Sequence, residues 1–168
     1  VAIDQSDFRH QIINSLCRRK WATDTHFKIL TVIEPLPFHW EQICYEDWKA
    51  TAHEISKKRR EHANTVLIQA GKELQDKFPL THIHTELRHG RVADEIIYAA
   101  SAWAPDKLIL EAHGRSPNRL FPSAVSTTVT RHAECTIEVL RLHPLEARAA
   151  LKTRAESLEQ RERAADLR

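Results

Sequence analysis

Apolar positions along the chain change period repeatedly, from continuous runs to helical spacing and back. The opening run Val1 to Asp4, VAID, reads as a strand. A helix is expected from about Asp7 to Arg19, with Ser6 as N-cap and Ile12, Ile13, Leu16 and Cys17 as its apolar face. Phe27 to Glu34, FKILTVIE, is β-branched and largely apolar, as a strand covered on both faces must be, and Pro35 and Pro37 end it. An aromatic loop with Phe38 and Trp40 follows. From Tyr45 to Phe78 the spacing predicts a long helix with Trp48, Ala52, Ile55, His62, Val66, Leu67, Ala70 and Leu74 inward. Its Lys57 to Arg60 run, KKRR, reads as a solvated face.

Beyond Pro79, Thr81 to Leu87 reads as a third strand, and Gly90 leads into a helix with Val92, Ile96, Ile97, Ala100 and Trp103 inward. Lys107 to Ala112 forms a fourth strand, Ser123 to Ala133 a short helix and Thr136 to Leu142 a fifth strand. Five strands separated by helices predict an α/β fold: a parallel sheet with right-handed crossovers and helices on both faces. From Leu145 onward Ala, Glu, Arg and Leu dominate, with Leu151, Leu158 and Ala165 seven apart. That segment reads as a charged helix, too short in apolar seam positions for a sustained coiled coil and suited to docking or weak pairing. The expected division is a domain over 1–142 and a charged helical extension over 143–168.

Composition narrows the function classes. With 168 residues and 42% apolar content, one substantial core is affordable and two hardly are. The net charge of +2 arises from 25 basic and 23 acidic residues mixed along the chain, which gives no electrostatic reason to expect nucleic acid or a membrane surface as partner. Cys17, Cys44 and Cys135 are widely spaced without a CxxC pair, which fits a reducing cytoplasm better than a disulfide framework. No apolar stretch is long enough to span a bilayer, and no signal peptide is visible. The chain has no methionine and begins inside an apolar run, so it reads as less than the whole translated polypeptide, with spacings short by one wherever a methionine is lost.

Chemistry concentrates between Asp106 and Arg141. Buried strand, basic loop with Gly114, short helix and buried strand follow one another there, and a helix beginning near Ser123 would offer unpaired N–H groups to an anion. Only three glycines occur, and Gly90 and Gly114 are the two outside helix interiors. Arg115 and Arg119 are placed to pair with Glu111 or with phosphate, and Ser116, Ser123 and Ser126 supply hydroxyl donors. His82 and His84 share a strand face near His89, but no carboxylate or Cys completes a metal-ligand spacing and no metal site is expected. Cys135 reads as core. No nucleophile elbow or triad is visible, so catalysis is not expected.

VAIDQS at Val1 to Ser6, TVIEP at Thr31 to Pro35, HGRVADEII at His89 to Ile97, DKLILEAHGRS at Asp106 to Ser116 and SAVSTTVTRHAECTIEVLR at Ser123 to Arg141 together resemble the universal stress protein family. The resemblance covers Val1 to about Arg141. It implies a flavodoxin-like, Rossmann-like doubly wound sheet in strand order 3-2-1-4-5, with the ends of the first and fourth strands adjacent at the topological switch point. It further implies that Asp4 and Val32 would hold adenosine and that phosphates would lie along a loop of pattern G-x2-G-x9-G-[ST]. Gly114 alone keeps its place in that pattern. Glu111 stands at the first glycine, Ser123 at the third and Ala124 at the Ser/Thr, one residue short in spacing. A carboxylate about 5 Å from a phosphate costs roughly 3 kcal/mol at an effective dielectric of about 20.

These substitutions point to a stress-response module that acts by binding and assembly, with a degenerate nucleotide-binding loop. Its candidate ligand residues are Asp4, Val32, Gly114, Arg115, Ser123 and Ser126. The alternative is an adenine-nucleotide switch with slow or no hydrolysis, taking ATP or AMP with magnesium. The resemblance also implies a homodimer paired through the fifth strand, Thr136 to Leu142, whose apolar edge needs covering. Other protein partners are left open.

Overall fold

The structure is a computed structural model and describes residues 1–4, 9–36, 45–111 and 124–140. Eight elements alternate along it: α1 (Arg9–Cys17), β1 (His26–Ile33), α2 (Tyr45–Lys77), β2 (His82–His89), α3 (Val92–Trp103), β3 (Lys107–Glu111), α4 (Ala124–His132) and β4 (Thr136–Leu140). Ser6, Phe38, Trp40, Cys44, residues 112–123 with Gly114, Arg115 and Arg119, and residues 143–168 lie outside the described residues.

β1 pairs with β2 in parallel from His26 opposite His82 to Ile33 opposite His89. β3 pairs with β4 in parallel from Lys107 opposite Thr136 to Glu111 opposite Leu140. Of the five strands expected, these four form ladders among the described residues. The opening run contributes one isolated bridge, Ala2 to Leu30, because so few residues can make few bonds. It nonetheless touches both pairs. The Ile3 N–H donates to Leu30 O at 2.9 Å and the Leu30 N–H to Val1 O at 2.8 Å, while the Ala2 N–H donates to Ile109 O at 3.0 Å.

Two apolar cores follow from strand alternation. Ile3, Phe27, Ile29 and Ile109 pack with Ile12, Ile13 and Leu16 of α1 and with Val66, Leu67, Ala70 and Leu74 of α2. Their sequence neighbours Ala2, Leu30, Leu108 and Leu110 pack instead with Ile96, Ala99 and Ala100 of α3 and Val129 of α4. The opening run, β1 and β3 thus feed both cores, with helices on either side, as the continuous apolar runs predict. Cys135 is half-buried against the second core.

One expectation needs correction. Ile55 is 41% exposed and His62 is exposed, although helical spacing puts both on the inward face of α2. Trp48 of the same spacing lies outside the described side chains. A helix of 33 residues is about 50 Å long, whereas an eight-residue strand spans only about 26 Å, so α2 outruns the sheet. Its continuous buried face begins at Ala63.

Candidate functional site

The carboxyl ends of parallel strands collect at one edge, and the segment carrying Asp4 runs into it. With Ala2 opposite Leu30, two residues on bring Asp4 level with Val32, and the bond from Ala2 to Ile109 sets the same segment beside β3, whose last residue is Glu111. Asp4 is exposed, and Val32 is half-buried against the second core. The backbone leading to Asp4 is fixed from below. Thr31, buried to 1%, donates its hydroxyl to Ile3 O at 3.1 Å.

Glu111 is the anomaly at this edge. Both of its carboxyl oxygens are buried and have no hydrogen-bond partner among the described residues. Burial, and then the negative charge of Asp4, raise its pKa from 4.5 to about 8. Near neutral pH this group is therefore mainly a neutral acid, and the repulsion of phosphate expected from its charge does not apply there. The side chain still occupies the place where a glycine was expected.

Ser126 sits at the start of α4 and is buried, so its hydroxyl is withdrawn from solvent. The Thr128 and Thr130 hydroxyls turn back onto their own helix, donating to Ala124 O at 2.9 Å and Ser126 O at 2.7 Å. The expected contributions of Gly114, Arg115 and Ser123 fall outside the described residues. What the structure brings together is Asp4, Val32 and Glu111.

The neighbouring strand end is braced by charge. Arg88 Nε donates to Glu95 at 2.6 Å and its Nη1 to Glu86 at 2.6 Å, while Lys28 reaches Glu86 at 3.0 Å. Hydrogen bonds from Lys28 and then Arg88 hold the Glu86 carboxyl below its ordinary range. The bond from Gly90 N–H to Ile33 O, at 3.1 Å, closes this end. Gly90 has φ of +151°, and a Cβ there would come within 2.6 Å of Glu95 Oε1, so both conformation and space ask for glycine.

Elsewhere, His26 and His82 rings lie 4.8 Å apart, and among the described residues no three metal-capable side chains gather. An open groove of about 370 Å³ runs between Ile97, Ser101, Pro105, His132, Glu134 and Cys135. It lies at the amino ends of β3 and β4, away from Asp4 and Glu111. No helix among the described residues is long and apolar enough to cross a membrane. Sequence reading gave no role to Thr31; a hydroxyl inside an apolar strand was the available signal.

Comparison with known proteins agrees with this architecture. The profile of the universal stress protein family matches residues 1–141. No curated protein sequence matches the chain. Among solved structures, the universal stress protein UspA from Lactobacillus plantarum is similar with a TM-score of 0.67 at 21% identity, covering 84% of this chain and 94% of that one. The hypothetical protein MJ0577 is similar with a TM-score of 0.64 at 19% identity over 84% of this chain and 96% of that chain. A universal stress protein solved in complex with cAMP has a TM-score of 0.59 at 17% identity, covering 85% of this chain and 94% of that one.

Proposed function

The chain belongs to the universal stress protein family, and we propose that it is a stress-response module that works by binding and assembly, holding an adenine nucleotide without turning it over. The observation that carries this reading is the meeting of Asp4, Val32 and the end of β3 at one edge of the strands. In this reading segment 1–4 is the middle strand of an order β2, β1, segment 1–4, β3, β4, which numbered from the chain start is 3-2-1-4-5. The bonds from Ala2 and Ile3 to both neighbours support that order, and ligands of open α/β sheets bind where such an order reverses.

Adenosine would lie against Val32 with Asp4 accepting from its hydroxyls, and the phosphates would follow the loop after Glu111. Any magnesium would arrive with the phosphates. That a relative of the same fold holds cAMP supports the ligand class. The loop is degenerate in this proposal, with Glu111 and Ala124 in place of pattern residues, so affinity is expected to be modest, with a dissociation constant on the order of 10 to 100 μM.

Calorimetric titration with AMP and with ATP plus magnesium at pH 7 tests the reading. Binding in the parent, weakened at least tenfold by Asp4→Ala, is the expected result. Silence toward both nucleotides in the parent and in Glu111→Gly would overturn it.

A further inference from the structure

We propose that Glu111 is the specificity-determining group of this crevice: its carboxyl must carry its proton for an anionic nucleotide to enter, so one protonation opens the site and its loss closes it. The inference rests on the nucleotide reading above and says what regulates that site.

Its footing is geometric. Glu111 ends β3, and both carboxyl oxygens are buried with no hydrogen-bond partner among the described residues. Asp4, on the segment to one side of β3, is the charged group acting on it among the described residues. Leu140, opposite it on the β4 side, is apolar. No described cation or donor compensates a negative charge at this place, and water is kept from the oxygens. A carboxylate there faces a second carboxylate instead.

The two protonation states offer a ligand opposite chemistry. The neutral acid sets no charge against a phosphate. The ionised form has acceptors alone and joins Asp4 in repelling an anion. The shift of the group to about 8 puts the changeover within reach of ordinary buffers. By reciprocity, an anion that needs the proton must also strengthen its attachment, so binding above the changeover draws a proton from solvent.

AMP titrated into the parent, Glu111→Gln and Glu111→Gly at pH 7, 8 and 9 tests this. In the parent, affinity is expected to fall about tenfold between pH 7 and pH 9, following the protonated fraction. Heats at pH 9 should depend on the ionisation enthalpy of the buffer, marking proton uptake. Glu111→Gln, a neutral side chain of nearly the same shape, should bind with affinity constant within about twofold and without uptake. The glycine variant gives the same reading if the amide packs badly. Flat affinity in a parent that binds AMP, with no uptake, overturns the proton gate and leaves the nucleotide site standing. Failure of all three proteins to bind AMP at any pH overturns the site and the gate together.

Discussion

Thr31 and Glu111 are polar groups at the same edge of the strands with opposite circumstances. Thr31 is buried with its hydroxyl bonded to Ile3 O, and Thr31→Val would leave that carbonyl without this donor. A loss of about 1–2 kcal/mol is expected, read from the urea midpoint. The carboxyl oxygens of Glu111 are buried with no hydrogen-bond partner among the described residues, and its pKa is about 8 in the fold against 4.5 in the ordinary group. Between those values the folded chain keeps a proton that the unfolded chain releases. The group's stabilising contribution is thus complete below about pH 4.5, declines as pH rises, and is gone once pH passes about 8. The decline is at most about 1.4 kcal/mol per pH unit. Unfolding at pH 5, 7 and 9 should therefore show Glu111→Gln gaining on the parent as pH increases; parallel curves would mean that the buried acid is solvated. None of this shift was legible in the sequence. It depends on lost water and on Asp4, brought close by the fold. A glutamate closing the apolar KLIL run was the visible clue.

The secondary-structure elements were more readable than the chemistry they carry. β1 and β3 were legible because strands covered on both faces must be apolar at successive positions, and the two cores share them in that way. The inward face of α2 was legible only from Ala63 onward, since helical spacing reports amphipathicity but not where the sheet ends. Leu74→Ala, at a fully buried position, should lose about 2–5 kcal/mol. Ile55→Ala should change stability by less than about 0.5 kcal/mol in the same denaturation assay. Gly90 joins β2 to α3, and its significance was legible from glycine's rarity alone. Gly90→Ala should destabilise by roughly 1–3 kcal/mol through its backbone conformation and the clash with Glu95. Resemblance pointed to Asp4 and Val32, and strand register puts them level with one another.

For the whole molecule the open matter is assembly. β4 pairs with β3, and among the described residues no second strand pairs with it; Ile137, Val139 and Leu140 remain half-buried. An edge of that kind invites a second copy. Sedimentation of the parent at micromolar concentration should give twice the mass of one chain, and Val139→Asp, which sets like charges against each other in a two-fold pair, should give one chain mass with an unchanged circular dichroism spectrum. A single-chain mass for the parent would reject pairing through this edge.

The short run from Val1 to Ile3 is the splice between the two strand pairs. Both cores cross this splice, so packing as well as backbone bonding holds the two ladders together there. Asp4 stands at its end, so a nucleotide seated there would act as a rivet. Its occupancy would be felt as slower amide exchange at Ala2, Ile3 and Leu30 along the splice, well beyond the atoms it touches.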